Sequence, residues 1–384
     1  VEKILAHHER LRESWPIDGT TGYDFSNQLD GLFVDPAGER HLTRIYSQFL
    51  RQRRDLDEIV YWGKKRIIQS SLMSELNVLA DMLNRLSEAD PKTRDFTRAA
   101  LQAALEEVAA CFPVYRTYVD QDGASELDRR YVAWAVAQAK KRSSHSEPSV
   151  FQFVHDALLG RLGQGKGVPY APHGASGEIV EAVKRFAMKF QQYSAPVMAK
   201  GLEDTAFYSY NRLLSLNEVG GEPGRFGHSV KAFHYHNAER QARWPRAMLT
   251  TTTHDTKRSE DVRARLHVLS EIPHEWAQKV RRWRRLTRSK KRRVHGAFAP
   301  SRNDEYALYQ TLLGAFPPEL LKSVPDDEEG GPPDWSKEGL EELERFSARV
   351  RDYMNKAVRE AKEMSSWVNP DVDYEAAVAE FTTA

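Results

Sequence analysis

Helical spacing dominates the chain between Glu39 and Lys141 and limits what this part can fold into. Apolar residues recur there three or four positions apart, with charged residues between them and almost no Gly or Pro. They include Ile59, Ile67, Ile68, Leu72, Leu76, Leu79 and Leu83. The same pattern continues in Leu101–Cys111, Tyr131–Ala139 and Gly177–Gln192. The sequence therefore predicts a helical block of about a hundred residues, followed by further helices.

Short segments outside this block are typical of strands. Ala247–Thr253 is uncharged and rich in Thr, and Thr20–Phe25 is also β-prone. Val1–Leu5 has the composition of a strand end, without a leading Met or an N-cap. We interpret this start as the tail of a buried strand and the chain as a fragment cut inside a domain. A mature protein that has lost its initiator Met is the alternative.

Composition excludes several classes of protein. The 384 residues carry 56 basic and 55 acidic side chains, a net charge of +1 that argues against a nucleic-acid partner. No apolar run approaches the roughly 18 residues that a membrane span needs, so we expect no membrane partner. The single cysteine, Cys111, cannot form an internal disulfide and is typical of a reducing cytoplasm.

Two charged runs lie in the last third of the chain. Lys279–Arg293 is strongly basic and is typical either of a polyanion site or of a solvated helix face. We favour the solvated face, with its charge offset by acidic segments nearby. Asp326–Asp334 reads as an exposed acidic loop, and Leu340–Met364 as one amphipathic helix.

The densest set of reactive side chains is Thr251–Asp261, with the sequence TTTHDTKRSED. In an α/β barrel, residues that follow the strands form the active site. Asp255 beside His254, within reach of the cations Lys257 and Arg258, would be held ionised there. The alternative is a helix start in which Asp255 or Thr256 is the N-cap. The segment by itself leaves both possibilities open.

A second set lies between Lys200 and Tyr208. Glu203, Asp204 and Phe207 complete a group of one cation, two carboxylates and two aromatic rings. Sugar sites use such groups, because aromatic rings stack on sugar faces while hydroxyls bind charged groups. A helix start with two acids in its first turn is the alternative.

Metal and nucleotide sites are not indicated. The histidines lie without a third His or a Cys at ligand spacing, and no HExxH, GxGxxG, Walker loop or GxSxG occurs. We therefore expect neither a bound metal nor a cofactor.

Four segments in this order resemble the maltooligosyltrehalose synthases, a branch of the α-amylase superfamily (glycoside hydrolase family 13). They are VEKIL at 1–5, GTTGYD at 19–24, MAKGLEDTAFY at 198–208 and THDTKRSED at 253–261. Later pieces agree, with EY at 305–306, YQTLLG at 309–314 and SSWVNP at 365–370. The resemblance runs from the first residue almost to the last.

The resemblance implies an α/β fold, the second half of a (β/α)₈ barrel that carries a large helical insertion. Residues 1–38 would hold barrel strands 5 and 6, and 39–185 the insertion. Residues 186–320 would hold the substrate loops with strands 7 and 8, and 321–384 an acidic loop and the C-terminal helices. The first four strands would precede Val1, so the chain is expected to be a C-terminal-side fragment.

The implied activity is that of a (1→4)-α-D-glucan 1-α-D-glucosylmutase of cytoplasmic trehalose biosynthesis. It rearranges the reducing-end α-1,4 link of a maltooligosaccharide into an α,α-1,1 link. Glu2 matches the general acid/base and Asp255 the carboxylate that stabilises the sugar. His254 and Lys200 match substrate contacts, whereas the nucleophile Asp matches no segment here.

We expect Lys200, Phe207, Tyr208 and the Tyr23 loop to exclude water, and the fragment to be inactive without the N-terminal half of the barrel as its partner. An α-glucan hydrolase of the same superfamily and a non-catalytic helical glycan-binding module are the alternatives. A simple amylase usually has Asn-His-Asp where Thr253-His254-Asp255 stands, which favours the synthase.

Overall fold

The computed structural model describes residues 1–6, 8–120, 122–143, 147–162, 175–321 and 335–383. The chain divides into two compact units, one formed by Val1–Leu56 with Phe207–Ala384 and the other by Asp57–Ala206. The predicted acidic loop at 326–334 lies outside the described residues. Among the described helices, none combines the length and the apolar character that crossing a membrane requires.

Helices make up most of the described secondary structure. In chain order they are α1 (Tyr23–Leu32), α2 (Glu39–Leu50), α3 (Leu56–Ser70), α4 (Met73–Glu88), α5 (Arg98–Ala110), α6 (Glu126–Arg142), α7 (Pro148–Leu158), α8 (Ala175–Met198), α9 (Phe207–Ser209), α10 (Val230–Arg243), α11 (Glu260–His267), α12 (Pro273–Thr287), α13 (Arg302–Ala315), α14 (Pro318–Leu321), α15 (Lys337–Ala361) and α16 (Val372–Thr383). A π-helical segment, Ala199–Ala206, continues α8. Short 3₁₀ turns lie at Pro36–Gly38, Leu214–Leu216, Val268–Ser270 and Arg288–Lys290.

The Asp57–Ala206 unit is a helical bundle, which confirms the helical periodicity of the sequence. Helix α4 packs against α5 and α8, and α5 packs against α6 and α7. The predicted core positions Leu76, Leu79 and Leu83 are fully buried. Helix α6 begins with a capping box, in which Ser125 and Asp128 each accept a hydrogen bond from the other's backbone N–H. Apolar spacing and local capping together account for this unit.

The other unit has a core built from α13, α15, α16 and a short hairpin. Strands β1 (Arg292–Val294) and β2 (Ala297–Ala299) pair antiparallel, with Val294 opposite Ala297. The predicted amphipathic helix is confirmed as α15, and it buries Phe346, Val350, Met354 and Val358. Tyr374 and Phe381 of α16 complete this core.

The predicted strands are wrong as regular elements. No strand is assigned to Val1–Leu5, Thr20–Phe25 or Ala247–Thr253, and α1 already begins at Tyr23. The Thr run bonds to itself: Thr250 Oγ1 donates to the Thr252 carbonyl at 2.5 Å and accepts from the Thr252 N–H at 3.2 Å. Such local bonds compete with a strand ladder. The described chain is therefore largely helical, with one hairpin as its sheet.

Candidate active site

Three extended segments, at Val1, at Gly19–Thr21 and at Met248, lie side by side next to the site. All three belong to the unit formed by Val1–Leu56 and Phe207–Ala384. The Val1 nitrogen donates to the Gly19 carbonyl at 2.6 Å, and the Thr21 N–H donates to the Val1 carbonyl at 3.2 Å. This alternation is the hydrogen-bond pattern of one parallel strand pair. On the other side, the Met248 N–H donates to the Thr20 carbonyl at 3.3 Å. The backbone thus brings Glu2, the Tyr23 loop and the segment before His254 together.

Four of the predicted site residues meet at the ends of these segments. The Tyr23 hydroxyl lies 2.9 Å from Asp255 Oδ2 and 3.3 Å from Glu2 Oε1. His254 Nε2 lies 3.4 Å from Glu2 Oε1 and 3.5 Å from Asp255 Oδ2. Tyr23 and Asp255 are 232 positions apart in the chain, so the fold and not local sequence creates this group. We call Glu2, Tyr23, His254 and Asp255 the carboxylate cluster.

The carboxylate cluster has three solvent-exposed side chains and one buried side chain. The side chains of Glu2, Asp255 and His254 are 58%, 50% and 74% exposed, whereas Tyr23 is buried. Burial raises the pKa of Tyr23 well above its usual range, and its bond to Asp255 raises the pKa further. The phenol therefore stays protonated and serves as a hydrogen-bond donor to the carboxylates. Glu2 and Asp255 are thus accessible carboxylates next to an uncharged hydrogen-bond donor. Such carboxylates can bind hydroxyl groups or exchange a proton with a substrate.

A tight turn presents His254 and Asp255. The Thr256 N–H donates to the Thr253 carbonyl at 3.2 Å, and the Thr253 N–H donates to Thr256 Oγ1 at 2.7 Å. Asp255 N–H donates to Thr253 Oγ1 at 3.2 Å. Neither Asp255 nor Thr256 is an N-cap, because α11 starts at Glu260 and Ser259 caps it. The carboxylate of Asp255 is therefore left available for the cluster.

The two cations after this turn lie in different surroundings. The Lys257 ammonium lies 5.2 Å from the centre of the Tyr208 ring. Arg258 is buried, and its guanidinium donates to Tyr353 Oη at 2.5 Å and to the Asn217 carbonyl at 3.4 Å. The guanidinium of Arg258 is thus engaged by interior groups. We therefore infer that Arg258 stabilises the turn that carries His254 and Asp255. These hydrogen bonds give no support to the predicted contact between Arg258 and substrate.

Glu218 stabilises the same turn through its buried carboxylate. This residue was not predicted from the sequence. It is buried and accepts the backbone N–H groups of Lys257 at 2.7 Å and Arg258 at 3.1 Å. A buried carboxylate that binds two backbone donors fixes a loop firmly. No motif spacing marks Glu218, and the only signal was the high content of polar residues and Gly between Ala195 and Phe226.

The predicted residues between Lys200 and Tyr208 are divided between the two units. Lys200 and Asp204 form an ion pair at 2.7 Å, and Glu203 is buried and accepts from the Tyr115 hydroxyl. These three lie in the π-helical segment that continues α8, so the alternative, a helix start with Glu203 and Asp204 in its first turn, is wrong. Phe207 and Tyr208 lie in α9 and are buried. The sugar-binding roles of all five remain predictions.

Ligand atoms of Glu2, His254 and Asp255 all lie within 4.8 Å of one another. One imidazole nitrogen and two carboxylate oxygens could contact a cation, but they are exposed and equally suited to sugar hydroxyls. The expectation of a site without metal or cofactor stays a prediction.

The backbone just before Tyr23 passes so close to Met248 that position 22 requires glycine. Gly22 has φ of 100°, and a Cβ there would lie 2.9 Å from the Met248 carbonyl oxygen. We expect Gly22→Ala to cost about 1–3 kcal/mol for backbone conformation, with roughly 1–3 kcal/mol more for the clash. Urea unfolding measures this loss. Gly123→Ala is the matched control, because Gly123 also has positive φ but has no atom within 4 Å of such a Cβ. Equal losses in the two variants would contradict the close approach.

Comparison with known proteins finds similar sequences and structures among the maltooligosyl trehalose synthases. A Mycobacterium tuberculosis protein, "Putative maltooligosyl trehalose synthase", is 32% identical over 375 residues, which are 98% of this chain and 40% of that protein. The solved maltooligosyltrehalose synthase of Arthrobacter ramosus matches with a TM-score of 0.74 and 32% identity, covering 100% of this chain and 40% of that one. Nearly the whole chain is thus similar to about two fifths of a maltooligosyl trehalose synthase.

A second solved structure agrees with this family. The maltooligosyl trehalose synthase from Sulfolobus tokodaii, described as hypothetical, matches with a TM-score of 0.66 and 31% identity, covering 100% of this chain and 41% of that one. No protein-family model matches the chain. The chain spans about 40% of the length of the curated synthases that it matches.

Proposed function

We propose that this chain supplies the acid/base and sugar-stabilising side of a maltooligosyl trehalose synthase. The observation that carries the proposal is the carboxylate cluster, in which Glu2 and Asp255 share the Tyr23 hydroxyl. The overall reaction moves the reducing-end glucose of a maltooligosaccharide from an α-1,4 to an α,α-1,1 link, as a (1→4)-α-D-glucan 1-α-D-glucosylmutase of trehalose biosynthesis. The chain is then the second half of a glycoside hydrolase family 13 barrel with a helical insertion.

The proposed chemistry begins with bond cleavage. A nucleophilic carboxylate, supplied by the first half of the barrel, attacks the anomeric carbon while protonated Glu2 gives its proton to the leaving glucose oxygen. Glu2 is exposed on the open side of the carboxylate cluster, where such an oxygen can reach it. Asp255 and His254 bind the hydroxyls of the sugar ring as positive charge develops on it.

The second step forms the new bond. The released glucose remains bound and turns, and its anomeric hydroxyl attacks the glycosyl-enzyme while Glu2, now a base, takes the proton. The nucleophile is released, so the step is balanced without water. Water must be excluded in this interval, and we assign this enclosure to Lys200, Phe207, Tyr208 and the Tyr23 loop. Lys257 beside the Tyr208 ring would place one more charge at the rim.

Glu203 and Asp204 would also bind sugar hydroxyls in the assembled site, and the turn fixed by Glu218 would keep Asp255 in place. We further propose a cytoplasmic location, since the one cysteine, Cys111, is free and buried. Arg258 is a positioning residue in this proposal because its guanidinium is bound inside the protein.

A product assay tests the function. Maltopentaose is incubated with the 384-residue chain, and separately with the chain fused to the amino-terminal part of the Arthrobacter ramosus synthase. We expect a non-reducing, trehalose-ended product from the fusion only, because no residue of this chain matches the nucleophile of the family. New reducing ends would instead support an α-glucan hydrolase. Saturable binding without turnover in the fusion would support a glycan-binding module.

A further inference from the structure

A strongly basic cavity lies in the unit formed by Val1–Leu56 and Phe207–Ala384. It has a volume of about 1210 Å³ and lies between the end of α2, the length of α12 and the start of α13. Three guanidinium groups from these separate elements line it: Arg51 after α2, Arg284 on α12 and Arg302 at the start of α13. None of the three belongs to the carboxylate cluster or to the motifs of the proposed reaction.

Among the described residues that line this cavity, basic side chains outnumber acidic ones. Glu305 is the one acidic residue among the described lining residues, and it is completely buried. Lys291 Nζ lies 2.6 Å from Glu305 Oε2, and the Tyr309 hydroxyl donates to Oε1 at 2.8 Å, so this carboxylate is already compensated. Within the described part of the chain, Arg51, Arg284 and Arg302 form no ion pair with a carboxylate. The predicted acidic loop at 326–334 lies outside the described residues, so the expectation that acidic segments offset this basic run stays a prediction.

The three guanidinium groups line one cavity, so their positive charges act on one another. The pKa of Arg302 is lowered, first by burial and then by the positive charges of Arg284 and Arg51. Burial also lowers the pKa of Lys291, and Arg284 and Arg302 lower it further against the pull of Glu305. Like charges held together in a partly buried cavity are unfavourable unless an anion joins them.

Helix dipoles do not account for the arrangement. Cations near the end of α12, such as Arg284, are favoured by the negative pole there. Arg302 is the first residue of α13, where the positive pole disfavours a cation. Phe49 contacts both side chains: the Arg284 guanidinium lies 5.5 Å from the centre of its ring, and the Arg302 guanidinium donates to its backbone carbonyl at 3.4 Å. The cations are thus positioned before any ligand arrives.

We propose that this cavity binds a small organic phosphate carrying two or more negative charges, through Arg51, Arg284 and Arg302. Guanidinium groups suit phosphate oxygens because their N–H donors bind them in pairs. The cavity is larger than a phosphate group, so it leaves room for the organic part. Its concave shape and the net charge of +1 favour a small ligand over a nucleic acid. This binding site is separate from the proposed transglycosylation.

Isothermal titration of the 384-residue chain tests the proposal, with inorganic pyrophosphate and glucose 6-phosphate as probes. We expect one molecule of each probe to bind, less tightly as the salt concentration rises. Arg284→Gln with Arg302→Gln should weaken binding at least tenfold, while Arg129→Gln with Arg130→Gln should change it less than twofold. This control removes the same charge from exposed positions on α6. Arg51→Gln, at an exposed residue, is a second variant that leaves both helix interiors intact.

Glucose 6-phosphate binding more tightly than pyrophosphate would support an organic phosphate, and comparable binding would support recognition of the charged group alone. Equal weakening in the cavity variant and the α6 variant would overturn the site, as would absence of binding by both probes to the unaltered chain. A 20-nucleotide RNA that binds at least tenfold more tightly than both probes would replace the small ligand with a nucleic acid.

Discussion

Glu2→Gln, in the chain fused to the amino-terminal part of the Arthrobacter ramosus synthase, is expected to lower kcat by about 10²–10⁴-fold. Gln has nearly the shape of Glu and keeps a hydrogen bond with the Tyr23 hydroxyl within reach. It cannot give a proton to the leaving glucose or take one back. Because the loss falls on the chemical steps, KM for maltopentaose should change much less than kcat.

The measurement is initial rates of trehalose-ended product from maltopentaose. Glu13→Gln is the matched control, since Glu13 lies near Glu2 in the chain but is 75% exposed and bonds to Arg243. That variant should keep its rate within about twofold. If Glu2→Gln retained a kcat close to that of the unaltered fusion, Glu2 would not be the acid/base. A fluoride leaving group, which needs little protonation, should restore the cleavage step in Glu2→Gln and separate lost chemistry from lost folding.

The sequence could predict which residues meet but not how they are held. Glu2, His254 and Asp255 were found from short motifs, and their convergence on Tyr23 follows from the three extended segments. Glu218 could not be found in this way. Its role depends on backbone donors about 40 positions later in the chain, and no periodicity or spacing connects such partners.

The helices were predictable where one apolar face decides the structure, as in α4 and α15. The structure of Ala247–Thr253 could not be predicted in the same way. β-propensity describes how well a residue suits a pleated surface, but it does not show whether a neighbouring strand is there to pair with it. Thr250 and Thr252 instead bond to each other. Within the described residues, Val1 still forms a parallel hydrogen-bond pattern with Gly19 and Thr21.

Arg263 connects the helix that carries Tyr23 to the turn that carries Asp255, and its loss is expected to have the largest effect on stability. It is buried, and its guanidinium lies 2.9 Å from Asp30 Oδ2 on α1. It also donates to the carbonyl of Arg258 at 2.6 Å and to that of Thr251. Arg263→Met would leave Asp30 as an uncompensated buried charge, which typically costs about 3–5 kcal/mol. Urea unfolding at pH 7.5 measures the loss.

The control for this substitution is Arg130→Met, because Arg130 pairs with Glu126 on the exposed face of α6 and should contribute less than about 1 kcal/mol. Adding Asp30→Leu to Arg263→Met should restore part of the stability, since the double variant no longer buries an unpaired charge. A double variant as unstable as the sum of its single variants would contradict a direct Asp30–Arg263 interaction.

The pH dependence gives an independent test of this pair. Burial raises the pKa of Asp30 to about 6, against the opposing charge of Arg263, so removing Arg263 should raise it further. A carboxyl whose folded pKa exceeds its unfolded value binds protons more tightly in the folded state, and stability then rises as the pH falls between these two values.

His267, 3.9 Å from Asp30, has its pKa lowered to about 4 by burial and then by the charge of Arg263. Without Arg263, protonated His267 can partly replace the lost cation. Both effects should make the gap between Arg263→Met and the unaltered chain smaller at pH 5 than at pH 7.5, and a gap that widens at pH 5 would show that Asp30 is not the group left unpaired.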